Sequence, residues 1–225
     1  MRVAVITSEQ FRDRTEAGAD LAEALQHYEG RGDVVVLGLP RGGVPIAGEV
    51  ARRLGAELDV FVVRKLGVPG QEELAMGAIA SGGVRCANRD VVEALGIPES
   101  VIDSVARSEQ VELDRRELLY RGDRPPLSLH NKTVIIVDDG IATGSTMRAA
   151  IQAARQREPL RVVVAAPVGA PSACVELASK ADEVVCVRMP DPFVAVGLWY
   201  GDFTPTTDQE VRDVLESHWH DSTRE

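Results

Sequence analysis

Val134-Ile135-Ile136-Val137-Asp138-Asp139-Gly140-Ile141-Ala142-Thr143-Gly144-Ser145-Thr146 joins an apolar strand to the first turn of a helix. Four β-branched residues in a row, with no polar alternation, mark a strand covered on both faces. Two adjacent carboxylates, Asp138 and Asp139, close it. A turn rich in glycine and hydroxyls follows and opens a helix. Ligands of open α/β sheets lie beyond the carboxyl ends of the strands. The free N–H groups and dipole of a helix N-terminus favour a phosphate there. Gly144 lacks a Cβ, so a phosphate can approach the backbone. Thr143, Ser145 and Thr146 add hydroxyl donors. The carboxylates would repel that phosphate, but they can accept hydrogen bonds from sugar hydroxyls. The segment therefore reads as a cradle for a sugar phosphate. A helix cap alone would explain one Asp, not two in tandem.

The same alternation extends in both directions. Ala17, Leu21, Ala22 and Leu25 lie at helical spacing, and Gly30-Arg31-Gly32-Asp33 ends that helix. Val34 to Leu37 is a second buried strand. It is followed by the turn Leu39-Pro40-Arg41-Gly42-Gly43 and a helix from Val44 to Leu54, with Gly55 as its stop. Leu58 to Val63 is a further strand. Gly67, Pro69, Gly70, Gly77, Gly82 and Gly83 interrupt residues 67–87, which predicts a mobile loop or hairpin. Pro98 to Arg121 predicts a charged helix. Beyond the quoted segment, the helix from Thr143 to Arg157 leads to strands at Val162–Ala166 and Val184–Val187, with a helix at Ala173–Ser179 between them. Met189 to Phe203 reads as loop, and Thr207 to Trp219 as a closing helix. Strands alternating with helices, apolar throughout, predict an α/β fold: a parallel twisted sheet flanked by helices in one domain over 1–225.

Composition narrows the function. Lys and Arg number 25 against 35 Asp and Glu, a formal net charge of −10. Nucleic-acid binding needs clustered cations, so nucleic acid is not an expected partner. One basic pocket remains compatible with that total. Cys86, Cys174 and Cys186 are far apart in sequence, which predicts reduced thiols rather than a disulfide or metal site. No apolar run approaches the ~20 residues of a membrane span. The start Met1-Arg2-Val3-Ala4-Val5-Ile6 is too short for a signal-peptide core, so the expected location is cytoplasmic. The sequences GxxxxGK[ST], GxSxG and HExxH do not occur, which argues against a P-loop protein, a serine hydrolase and a zinc protease. His218-Trp219-His220 reads as a solvated end rather than a metal site.

An apolar strand, two acids, two variable residues, then Ala-Thr-Gly and a hydroxyl pair resembles the motif of type I phosphoribosyltransferases. These enzymes bind 5-phosphoribosyl pyrophosphate (PRPP). The likeness extends from Val34 to about Phe203. It implies transfer of the phosphoribosyl group to a nitrogenous base with release of pyrophosphate. Ala142, Thr143, Gly144, Ser145 and Thr146 would hold the 5′-phosphate. Asp138 and Asp139 would hold the ribose hydroxyls and reach Mg²⁺, bound with PRPP, directly or through water. Arg41, Gly42 and Gly43, with Arg64 and Lys65, would hold the pyrophosphate. Asp138, Asp139, Arg41 and Lys65 are the expected catalytic set. Residues 67–87 would form a closing loop, about 90–121 a helical insert, and about 189–205 a hood whose Phe193 stacks on the base. Ala142 stands where hypoxanthine-guanine enzymes carry an acid. Pro167-Val168-Gly169 stands where they carry a Lys. Both departures point away from a 6-oxopurine. The expected partners are PRPP and a small-molecule base. A PRPP- or nucleotide-sensing regulator on the same fold is the alternative reading, and a homo-oligomer remains open.

Overall fold

A computed structural model describes residues 2–3 and 9–221, so most of the Met1–Ile6 start lies outside the described residues. In chain order the elements are β1 (Arg2–Val3), α1 (Arg14–Ala24), β2 (Val34–Gly38), α2 (Gly43–Leu54), β3 (Glu57–Val60), β4 (Val63–Val68), β5 (Gln71–Ala80), β6 (Val84–Ala87), α3 (Arg89–Leu95), α4 (Glu99–Arg121), β7 (Thr133–Val137), α5 (Ser145–Arg155), β8 (Arg161–Val168), α6 (Pro171–Leu177), β9 (Glu183–Arg188) and α7 (Asp208–Asp221).

The main sheet has the order β1-β9-β8-β7-β2-β3, with every neighbouring pair parallel. Its strands are buried on both faces, as their unbroken apolar runs predict. The two-residue period of a strand sorts the side chains. Val35, Leu37, Val134, Ile136, Val162 and Val164 join one core cluster with α5 and α6. Val34, Val36, Ile135, Val137 and Val163 join the other with α1 and α2. From β2 the chain moves outward to β3, then returns to place β7 on β2's other side. The strand order therefore reverses between β2 and β7, where a ligand crevice is expected. The two strands end in register, Gly38 opposite Val137. The turn after β2 and the acids after β7 thus leave the sheet side by side.

Residues 67–87 take the hairpin alternative and not the mobile loop. They fall within a three-stranded antiparallel sheet, β4-β5-β6, packed between α4 and α5. Leu66 and Met76 are fully buried in it. The glycines mark close strand approach rather than a lack of packing. A Cβ at Gly77 would lie 2.4 Å from the Cys86 carbonyl oxygen, and one at Gly67 2.7 Å from that of Glu72. The tip around Pro69-Gly70 and the Gly82-Gly83 turn are exposed.

Helix α4 is anchored at its C-terminal end. Arg121 Nε donates to Asp59 Oδ1 at 3.1 Å and Nη2 to the Val60 carbonyl at 2.9 Å, both groups buried. Leu127 N donates to Asp59 Oδ2. The closing helix α7 is not a solvated end. Trp219 Nε1 donates to the Leu58 carbonyl at 3.0 Å, and His218 Nε2 lies 3.0 Å from the Ala56 carbonyl. All three cysteines are free and buried. Among the described residues no helix is long and apolar enough to cross a membrane.

Candidate active site

The turn after β7 has the geometry of an anion cradle. Gly144, at φ +70°, turns the chain into α5 and offers no capping side chain, and the one side-chain contact to the first turn is a long one from Ser145 N to Thr143 Oγ1 at 3.4 Å. A cavity of about 150 Å³ opens there, lined by Asp138 and residues 140–147. Ala142, Thr143 and Thr146 are exposed around it. The first-turn amides of α5 therefore lack an intrahelical acceptor and face a cavity the size of a small anion. Val196 covers its flank: a Cβ at Gly140 would fall 2.4 Å from Val196 Cγ1.

The two acids differ in state. Asp138 keeps a narrow opening to solvent but is surrounded by protein, and its Oδ1 accepts from Asp139 N at 2.9 Å. Burial, then the neighbouring Asp139 charge, pushes its carboxyl up to about 8. Burial also raises Asp139, but a guanidinium opposes the rise. Arg14 Nη2 and Nε donate to Asp139 Oδ2 at 3.0 and 3.3 Å. Arg14 is held in turn: Nη1 donates to the Thr204 carbonyl at 2.8 Å, and its guanidinium lies 4.3 Å from the Phe203 ring centroid. The Tyr200 hydroxyl donates to the Asp139 carbonyl at 2.6 Å. No sequence motif marks Arg14 for this role.

The Pro40–Gly43 turn abuts these acids. A Cβ at Gly42 would lie 1.9 Å from Asp139 Oδ2, and one at Gly43 2.6 Å from the Val137 carbonyl oxygen and 2.9 Å from Asp138 Cα. Glycine is therefore required at position 43, where the neighbour is backbone, while any side chain at position 42 would displace the Asp139 carboxylate. The Pro40–Arg41 peptide is cis. Arg41 is exposed, with its charge close enough to Tyr120 on α4 to oppose the upward shift of that phenol.

Arg64 and Lys65 part company. Adjacent strand residues point to opposite faces. Lys65 lines a cavity with Ser145, Arg148 and Ala149. Arg64 faces α4, where its Nε and Nη2 meet Glu109 Oε2 at 2.7 and 2.6 Å. The two therefore do not share one surface, as their expected grouping at the pyrophosphate supposed. Phe193 is partly buried and packs against the edge of both core clusters.

Comparison with known proteins follows the same lines. The phosphoribosyl transferase domain model matches residues 8–198. A Mycobacterium tuberculosis protein named "Putative phosphoribosyl transferase Rv0571c" is 50% identical over 206 residues, covering 92% of this chain and 46% of that protein. The chain thus spans about half the length of the curated relatives it matches most extensively. A "Bifunctional protein PyrR" of Chloroflexus aurantiacus is 33% identical over 132 residues, covering 54% of this chain and 63% of that protein. The crystal structure of TT1426 from Thermus thermophilus superposes with a TM-score of 0.85 at 45% identity, covering 92% of this chain and 98% of that one.

Proposed function

From the premise that the chain belongs to the phosphoribosyl transferase domain family, we propose that it transfers the 5-phosphoribosyl group of PRPP to a nitrogenous base and releases pyrophosphate. The observation that carries this reading is the meeting of two turns at the strand-order reversal. The uncapped N-terminus of α5 lies on one side of Asp138 and Asp139, and the glycines of Pro40–Gly43 press on the other. Such a site suits a ligand with a phosphate at one end, hydroxyls in the middle and a second phosphate group beyond.

In this proposal the 5′-phosphate takes the amides and hydroxyls of Thr143 to Thr146. The ribose hydroxyls donate to Asp138 and Asp139. The Gly42 amide, with Arg41, takes the pyrophosphate, while the Gly43 amide is held by the Leu39 carbonyl at 3.0 Å and shapes the turn. A nitrogen lone pair forms the new bond to C1 as the C1–oxygen bond to pyrophosphate breaks and its electron pair leaves with the pyrophosphate. Positive charge builds on the ribose ring in an oxocarbenium-like state. The protein's contribution is positioning and charge stabilisation. Arg14 fixes the Asp139 carboxylate beforehand, so little reorganisation accompanies binding. Lys65, facing Ser145, adds a cation at the 5′-phosphate end rather than at the leaving group.

Mg²⁺ fits this donor set in a limited way. Among the described residues no group of three or more His, Cys, Asp and Glu is arranged to hold a metal. Two carboxylates still supply the one or two protein oxygens Mg²⁺ takes when it arrives on a polyphosphate. When bound, it would neutralise the pyrophosphate and so assist its departure.

The test is a screen of purine and pyrimidine bases with PRPP and Mg²⁺, scored by pyrophosphate release, with PRPP binding measured in parallel. Base-dependent release is the expected result. PRPP binding without release from any base would leave a sensor in place of a transferase. No PRPP binding would refute the reading.

A further inference from the structure

Two cavities adjoin the cradle on the outer face of α5. One, of about 450 Å³, runs from Lys65 and Ser145 past Arg148 to Gln152 and Lys180. The other, of about 550 Å³, continues from Gln152 and Lys180 to Arg85, Arg89 and Arg155. They share Gln152 and Lys180 and form one groove between α5 and the β5–β6 hairpin. Its walls carry six cationic side chains against two carboxylates, Asp90 and Glu176. The whole chain, by contrast, has a net charge of −10. Charge of the minority sign gathered in one concavity raises the local concentration of anions.

Three of the cations sit in solvent-accessible salt bridges, Arg148 with Glu176 at 3.0 Å, Arg155 with Asp182 at 3.1 Å and Arg85 with Asp103 at 2.6 Å, and Arg148 and Arg155 also donate to the Thr143 and Lys180 carbonyls at 3.0 and 3.1 Å. Such pairs contribute little and yield readily to a phosphate. Lys65, Arg89 and Lys180 make no salt bridge among the described residues. Arg148 and Gln152 follow Ser145 by about one and two helical turns, a reach of about 10 Å along the groove. PRPP ends at its 5′-phosphate, and its pyrophosphate departs from C1 on the side of the acids. The groove therefore lies beyond what PRPP fills.

We propose that this groove binds the phosphate chain of a nucleoside 5′-polyphosphate. Its α-phosphate would sit in the cradle of Thr143 to Thr146, and the outer phosphates would run along α5 past Arg148 to Lys180 and Arg89. Because it shares the cradle, the ligand competes with PRPP. The proposal rests on the cradle taking a 5′-phosphate, as argued above.

Arg89 and Lys180 are exposed and lie outside the machinery assigned to PRPP, so R89Q/K180Q tests the groove without endangering the fold. Calorimetry on the full chain would compare ATP, AMP, inorganic tripolyphosphate and PRPP. ATP is expected to bind at least about tenfold tighter than AMP and to displace PRPP. The double variant should lose about tenfold or more in affinity for ATP and tripolyphosphate, from two charge-assisted contacts, while PRPP and AMP are unchanged. Equal affinity for ATP and AMP would overturn the proposal. So would an equal loss for PRPP in the variant, or binding to single-stranded oligonucleotides that tightens with length. If PRPP fails to bind the unaltered protein, the transferase reading fails, whereas tripolyphosphate binding lost in the variant still reports the groove.

Discussion

Asp138 is the residue at which stability and ligand binding should pull in opposite directions. Its ordinary pKa is 3.8, and the fold raises it to about 8. At pH 7 the unfolded chain has released this proton while the ligand-free native state holds it. A carboxyl whose folded pKa is raised contributes stability that is fully present below the unfolded pKa and is lost as pH rises through the folded one. Between 3.8 and 7 lie about three pH units at about 1.36 kcal/mol each, which gives a loss of about 4 kcal/mol. Local relaxation and water entry reduce this to about 2–4 kcal/mol. D138N removes the titration and keeps an oxygen able to accept from Asp139 N, the bond seen at 2.9 Å. For a chain of this size that predicts a melting temperature roughly 5–15 °C above the parent near pH 7–8. The gap should close toward pH 4. The same variant should bind PRPP more weakly, by about 1.5–3 kcal/mol for each charged hydrogen bond lost to the ribose. Thermal unfolding of both proteins from pH 4 to 8, with and without PRPP, measures all of this. A melting difference that stays constant across the range would refute the account of Asp138.

Three further outcomes follow from the site. R14Q removes the cation holding Asp139, whose side chain and that of Arg14 are only 19% and 12% exposed; a loss of about 1–3 kcal/mol is expected in urea unfolding. Because Asp139 is already raised, that loss should be larger at pH 8 than at pH 5, and a pH-independent loss would contradict it. G42A places a methyl on Asp139 Oδ2, so PRPP affinity should fall about tenfold or more while the fold survives; an unchanged Kd would show that this turn does not carry the pyrophosphate. In hydrogen exchange the packed body of β4 and β5 should be protected without ligand, and only residues 69–74 should gain protection with PRPP and Mg²⁺. A tip that does not respond would make the hairpin a static wall.

What the sequence revealed and what it hid divide along the range of the forces involved. Buried parallel strands are unbroken apolar runs, and an anion turn at a helix start is a local pattern. The main sheet, the Val134–Thr146 cradle and the Pro40–Gly43 turn could therefore be read residue by residue. Arg14 could not. Its partner Asp139 is 125 residues away, and nothing in Phe11-Arg12-Asp13-Arg14 distinguishes the Arg that turns inward from the one that stays in solvent. The same holds for Arg121, which reaches Asp59 across 62 residues. The period of a strand could have separated Arg64 from Lys65, had β4 been recognised. It was obscured because glycine signals two different things. Gly70, Gly82 and Gly83 sit at φ near +80° in turns, as the loop reading requires. Gly67 and Gly77 sit within strands and let a neighbouring backbone come closer than any Cβ allows. Counting glycines merges the two cases. Buried partners such as Leu66 and Met76, spaced for one face of a sheet, tell them apart.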